Sequence, residues 1–217
     1  MNSAAATVER AVTERGELVL RELDGHYEVI SNGVFLMDTR AGQSERLLVR
    51  AALDAVPDGA RLLIGGLGVG FSLAEAAASA RPARITVAEI EPVLVGWHRG
   101  PLGRFSAGAV DDPRVRVVTA DLTTWLRTTD EVFDAICLDI DNGPDWTVFD
   151  TNAALYQHDG LDLLRAHLAP GGVLAVWSAA ESPAYAERLA ASIGPVETLR
   201  VPVPRGEPDV VYLARLR

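Results

Sequence analysis

The chain has 217 residues, a hydrophobic content of 48% and a formal net charge of −10. That length fits one large α/β domain with a small appendage. The acidic balance and the scatter of the basic residues exclude nucleic-acid binding driven by phosphate contacts, and no apolar stretch approaches the roughly 20 residues that span a membrane.

Met1–Thr7 has no basic start followed by an apolar core, so it reads as a frayed end rather than a signal peptide. Residues 1–16 are expected to form a tail and a short helix. Three extended runs follow: Glu17–Leu23, Tyr27–Ile30 and Val34–Met37. Asp24-Gly25 and Asn32-Gly33 separate them, and both are hairpin signals. An amphipathic helix is expected over Glu45–Val56. A ribbon this short buries no core of its own, so it must pack on the main domain or on a second subunit. Residues 1–56 are therefore assigned to tail, ribbon and helix, and residues 57–217 to a Rossmann-like domain.

From residue 61 the pattern alternates. Strands are expected at 61–65, 84–89, 115–118, 133–139 and 172–177, and helices at 70–80, 91–98, 121–127 and 158–168. Such alternation marks a parallel sheet covered by helices on both faces. Pro170-Gly171-Gly172 is read as the turn that stops a helix near Leu168 and starts the next strand. After a helix at 183–192, strands at 196–203 and 209–215 are joined by Pro204–Pro208, a link short enough to make them antiparallel. The expected fold is thus α/β, of the class I methyltransferase type: a Rossmann-like parallel sheet with a C-terminal antiparallel pair and a small N-terminal β-ribbon. Single Cys137 lies in a buried-strand pattern and is read as a core side chain. One cysteine excludes an internal disulfide framework, and the whole points to the cytoplasm.

Chemistry concentrates at strand ends. Leu62-Leu63-Ile64 runs into Gly65, Gly66, Gly68 and Gly70, and a second apolar run ends in Glu89, 19 residues after Gly70. This layout builds a nucleoside pocket at the carboxyl end of a parallel sheet, with glycine admitting the ligand close to the backbone. A dinucleotide fingerprint wants G-x-G-x-x-G. Here the spacing is G-x-G-x-G and residue 71 is Phe71, which looks like the first motif of S-adenosylmethionine-dependent transferases. Asp121, Asp139 and Asp141 also follow apolar runs, so four acids converge on one crevice. Taken singly, each is an ordinary loop acid, and Asp121 is as good a helix cap as a ligand. Trp97 reads as packing and His98 as a surface or helix-end histidine. Trp146 and Phe149 lie in a long segment, 141–154, that reads equally as a lid or as a pinned loop. His158 and His167 have no partner at ligand spacing, so no metal site is expected.

On these residues the chain resembles the spermidine synthase (polyamine aminopropyltransferase) family. The resemblance runs from about residue 17 to the end. It rests on the ribbon, Gly65-Gly66, Val87–Pro92, Asp112–Val115, Leu155-Tyr156 and Leu168–Leu174. It implies that Glu89 holds the donor's ribose, Asp121 meets the adenine amino group and Leu122 packs near the ring. It also implies that Asp139 orients and deprotonates an incoming amine. The family's D-S-S-D-P loop becomes Asp139-Ile140-Asp141-Asn142-Gly143-Pro144, with Asp141 one residue closer. In the family an Asp in the glycine turn grips the amine of decarboxylated S-adenosylmethionine; that position is Gly68 here. The family's Tyr-His-Glu run is aligned with Leu48-Val49-Arg50. The resemblance also implies a homodimer.

The resulting expectation is a transferase that uses S-adenosylmethionine, or its decarboxylated form, on a small-molecule acceptor. Because Gly68 replaces an Asp, methyl transfer is placed slightly ahead of aminopropyl transfer. A non-catalytic protein that binds S-adenosylmethionine or methylthioadenosine is the alternative from another class. The Asp139–Asp141 pair counts against it. An NAD-dependent oxidoreductase is disfavoured by the glycine spacing.

Overall fold

A computed structural model describes residues 5–147 and 150–217. Four strands open the chain: β1 (Ala6–Thr13), β2 (Gly16–Leu23), β3 (His26–Ser31) and β4 (Val34–Asp38). They form one antiparallel sheet in that order. The expected short helix near residue 10 is instead β1, which pairs with β2 from Ala6↔Glu22 to Thr13↔Gly16. Neighbour pairing overrides the weak local preference of Thr7–Thr13.

After helix α1 (Gln43–Asp54) the alternation begins. It runs β5 (Ala60–Gly65), α2 (Phe71–Ala78), β6 (Pro82–Glu89), α3 (Pro92–Trp97), β7 (Val115–Thr119), α4 (Leu122–Leu126) and β8 (Phe133–Leu138). A 3₁₀ segment at Asp150–Tyr156, absent from the sequence reading, leads into α5 (His158–Ala166). Then come β9 (Leu168–Ser178), α6 (Pro183–Ser192), β10 (Val196–Val201) and β11 (Asp209–Arg215). The seven-stranded sheet has the order β10-β11-β9-β8-β5-β6-β7. It is parallel from β9 to β7, and β11 runs antiparallel to both its neighbours. Pro170-Gly171-Gly172 does not separate a helix from a strand. It lies inside β9, where the pairing with β8 shifts register between Phe133 and Ala135.

Side chains alternate between the two faces of this sheet, as the two-residue period of a strand requires. Leu62 and Ile64 pack with Leu48, Val49 and Leu53 of α1 and with Leu73 of α2. Leu63 faces the other way, into a cluster with Leu126, Leu161, Leu164, Tyr185 and Tyr212. A third cluster joins Leu18, Leu20 and Val29 of the small sheet to Val69, Phe71, Leu94 and Trp97. The ribbon therefore packs on the main domain, over the turn after β5. Strand order reverses between β5 and β8, and that switch point opens a crevice at the carboxyl ends of the strands.

Candidate active site

Two cavities share this crevice. The first, about 640 Å³, is lined by Gly66, Gly68, Glu89, Glu91, Asp121, Leu122 and Asp139, with Arg15, Leu18 and Met37 closing it from the ribbon. The second, about 520 Å³, is lined by Asp38, Glu45, Gly68, Gly70, Asp139, Asp141, Arg205 and Asp209. Met37, Gly68 and Asp139 belong to both walls. Gly65 lies at the end of β5, where an added Cβ would press on Leu122 and Leu138. The sequence-derived residues thus come together, with Gly65 behind the wall rather than in it.

The glycines serve different ends. A Cβ on Gly66, at φ +92°, would lie 2.2 Å from the Asp139 carbonyl oxygen. One on Gly70, at φ +97°, would lie 2.6 Å from the His98 ring. Those two glycines make room for other parts of the protein, while their backbones still line the cavities. Only Gly68, at φ +52°, faces room: its Cβ would meet nothing nearer than Met37 Sδ at 3.6 Å.

Glu89 is buried at the end of β6. Its Oε2 accepts the Leu67 N–H at 2.9 Å and its Oε1 the Glu91 N–H at 2.8 Å. Burial raises its pKa against those bonds. The acid therefore ties the glycine turn to the next strand as well as facing the first cavity. Asp121 fulfils both of its readings: its Oδ1 accepts the Thr124 N–H at 2.7 Å, capping α4, and it lines the cavity. Glu91 is held by Arg15 Nε at 2.7 Å, which pins the β1–β2 turn beside the first cavity.

Asp139 is the junction. Its backbone N–H donates to Gly65 O at 2.8 Å, and its Oδ2 accepts the Ser72 hydroxyl at 2.8 Å. Burial and the negative charges of Glu45 and Asp209 push its pKa up to about 7. Ser44 Oγ lies 2.7 Å from Asp209 Oδ2 and 2.9 Å from Glu45 Oε2. Burial also raises the pKa of each of those acids. The sequence reading missed Glu45, Ser72 and Asp209. Their one sequence-level mark is position: Glu45 and Ser72 open helices, and Asp209 opens a strand.

Other expectations are corrected. Leu48 and Val49 are core residues of α1 and line neither cavity, whereas Glu45, in the first turn of the same helix, lines the second. His98 ends α3 but is no surface residue; it is 1% exposed. Trp97 packs in the core, as its sequence reading has it, and Trp146 is exposed. Phe149 lies outside the described residues. Among the described residues no cluster of His, Cys, Asp and Glu could hold a metal ion, and no helix is long and apolar enough to cross a membrane.

The fold and the glycine–acid crevice define a class I S-adenosylmethionine-dependent type of α/β protein. The profile of the spermine/spermidine synthase domain matches residues 44–195. The chain belongs to that family. Polyamine aminopropyltransferase 1 of Streptomyces coelicolor is 36% identical over 148 residues, which is 67% of this chain and 26% of that protein. The polyamine aminopropyltransferase of Mycobacterium tuberculosis is 31% identical over 177 residues, 79% of this chain and 31% of that protein. The chain thus spans about a quarter to a third of the length of these relatives. Spermidine synthase from Thermotoga maritima superposes with a TM-score of 0.78 at 18% identity, covering 96% of this chain and 72% of that one. A spermidine synthase bound to the transition-state analogue AdoDATO gives 0.77, also at 18% identity, with the same coverage of both chains. These relatives give no support to the preference for methyl transfer.

Proposed function

We propose that the chain transfers an aminopropyl group from decarboxylated S-adenosylmethionine to a cationic small-molecule amine. The observation that carries this reading is Asp139, set in the common wall of a nucleoside-type cavity and an acid-lined one. Relatives named polyamine aminopropyltransferases support it. In the first cavity Glu89 is placed to hold ribose, while Asp121 and Leu122 meet the adenine. In the second, Glu45, Asp139, Asp141 and Asp209 outnumber Arg205 and favour a positively charged acceptor.

The reaction is a substitution at the propyl carbon next to the sulfonium. The acceptor nitrogen forms a bond to that carbon, and the carbon–sulfur bond breaks. Methylthioadenosine leaves with the electron pair. The protein has to align the two partners and receive a proton. An alkylamine with a pKa near about 10 is mostly charged at pH 7, and holding it neutral costs roughly 4 kcal/mol. Asp139 accepts that proton as the bond forms, and its raised pKa suits a base working near neutrality.

One observation favours a second reading, methyl transfer from S-adenosylmethionine: no carboxylate stands at Gly68 to grip the donor's amine. Calorimetric titration with the two donors separates them. Tighter binding of the decarboxylated form, with methylthioadenosine released in the presence of a diamine, is expected. Preference for S-adenosylmethionine would move the reading to methyl transfer, and binding of neither would remove the pocket assignment.

A further inference from the structure

The second cavity holds two kinds of charge. Glu45, Asp139, Asp141 and Asp209 line it together with Asp38, whose charge Arg40 meets at 2.6 Å. Against them stands Arg205, the one cationic side chain among its described lining residues. Asp141 is buried and Glu45, Asp139 and Asp209 are half-buried, whereas Arg205 is exposed. The carboxylates thus form the deeper part of the cavity and the guanidinium its mouth.

Arg205 is not drawn onto any of those acids. Arg200, in the preceding strand, pairs with Glu181 at 2.6 Å. Arg205 forms no ion pair and no hydrogen bond among the described residues, although Glu207 and Asp209 follow it closely in the chain. Its placement is set by the link that carries it. The hairpin register closes at Val201↔Asp209, which leaves residues 202–208 as the connection. Pro202, Pro204 and Pro208 each fix φ, and Gly206 takes a left-handed φ of +95°. So stiff a link presents the guanidinium with little entropy left to lose on binding.

A guanidinium in this place works against an acceptor whose only charges are ammonium groups. It favours one that brings an anion as well. Its fork of N–H donors matches a carboxylate. A phosphate fits the fork too, but the acids beneath repel its second charge.

We propose that the acceptor is a diamino acid: Arg205 receives its carboxylate at the mouth, while its far amine reaches Asp139 among the acids. Asp209, at the end of the same link, offers a carboxylate to the α-ammonium. Val203 and Trp177 supply apolar wall for the methylenes. With two ammonium groups and one carboxylate such an acceptor stays cationic, as the surplus of acids requires. The reacting step rests on the aminopropyl-transfer reading. The far nitrogen bonds to the propyl carbon, the carbon–sulfur bond breaks, methylthioadenosine leaves with the electron pair and Asp139 takes the proton.

Calorimetry on the full chain tests it with two pairs of amines that differ only by the carboxylate: lysine with 1,5-diaminopentane, and ornithine with 1,4-diaminobutane. Each is titrated with and without methylthioadenosine. In at least one pair the amino acid should bind about tenfold more tightly, in line with one charge-assisted pair. Arg205→Ala should abolish that preference and strengthen the diamines about two- to threefold. Arg205→Lys, which keeps the charge but not the fork, should retain part of it. Diamines at least as tight in both pairs, a preference that survives Arg205→Ala, or no binding of any of the four would overturn the proposal. So would a variant that instead loses affinity for S-adenosylmethionine, whose own tail carries a carboxylate. The two readings fail separately. Methylthioadenosine released from the decarboxylated donor with diamines alone would sink the diamino acid and leave aminopropyl transfer standing. A carboxylate preference that depends on Arg205, without such release from any acceptor, would sink aminopropyl transfer and leave the acceptor class standing.

Discussion

The two cavities meet at Asp139 yet are built in opposite ways. The first draws on consecutive strand ends: Gly66 and Gly68 after β5, Glu89 closing β6, Asp121 after β7 and Asp139 after β8. Each is announced by an apolar run that stops. The second is assembled from distant places: Asp38 at the end of β4, Glu45 in the first turn of α1, Asp209 at the start of β11 and Arg205 in the link before it. No local pattern announces those. A binding site on strand ends is written in the periodicity of the sheet, whereas a site walled by returning elements exists only once the sheet has closed.

Breaking the junction should have the largest effect. Asp139→Asn keeps an acceptor for the Ser72 hydroxyl but cannot take a proton. Turnover should fall by about 10²- to 10⁴-fold, the range for losing a positioned base. Donor affinity should change far less, because Glu89 and Asp121 remain. Equal losses in both, measured by steady-state kinetics and calorimetry, would place Asp139 in donor binding and not in proton transfer.

The contrast also explains how far the sequence could be read. Most main-sheet elements were legible to within a few residues, because strands such as Pro82–Glu89 and helices such as Pro183–Ser192 carry their own period or caps. Strand β1 was not, since its residues are exposed and only its pairing with β2 makes it a strand. The roles of the glycines were legible only in part. A close approach to their backbone was expected, but that Asp139 is what approaches Gly66, and His98 Gly70, depends on contacts made across the fold. His98 itself carries no sequence signal for burial. Glu45 was not legible as a cavity residue, because a helical sequence without its partners does not show which turn meets the pocket.

The first cavity can be sharpened at its one open glycine. Gly68→Asp adds a carboxylate where only Met37 Sδ is near, in a left-handed conformation that Asp tolerates better than most residues. The decarboxylated donor should gain about tenfold in affinity relative to S-adenosylmethionine, roughly one charge-assisted hydrogen bond. An unchanged ratio in paired titrations would mean that the tail does not pass this position.

The second cavity can be probed through its pH dependence. Asp139, Glu45 and Asp209 all have raised pKa values in the fold. A raised carboxyl pKa means that the folded state holds protons the unfolded chain has already released. Stability from this cluster is therefore complete below the unfolded value of about 4 and is lost as pH rises through the folded values, up to about 7 for Asp139. Asp209→Asn removes one of the repelling charges. It should raise the melting temperature at pH 8 more than at pH 5, and move the acid limb of the rate profile to lower pH, since Asp139 then ionises more easily. A diamine should stabilise the wild type more than it does this variant. Parallel melting curves for the two proteins across that range would show that the three acids do not sense one another.

The smallest effect is expected where the ribbon is pinned beside the first cavity. Arg15 Nε bonds Glu91 at 2.7 Å, its guanidinium also reaches the Ile90 carbonyl, and Thr13 adds a weaker contact at 3.3 Å. The Arg15 side chain remains about one-third exposed, so solvent screens the pair and its contribution to stability should stay near about 1 kcal/mol. Its larger role is geometric, because Arg15, in the β1–β2 turn, lines the first cavity. Arg15→Ala should therefore lower donor affinity by about two- to fivefold, with little change in turnover at saturating donor. Arg15→Lys should restore the charge but not the bond to Ile90, giving an intermediate affinity. A variant that loses turnover at saturation instead would place the ribbon turn at the reacting centre, and the division of labour between the two cavities would have to be redrawn around it.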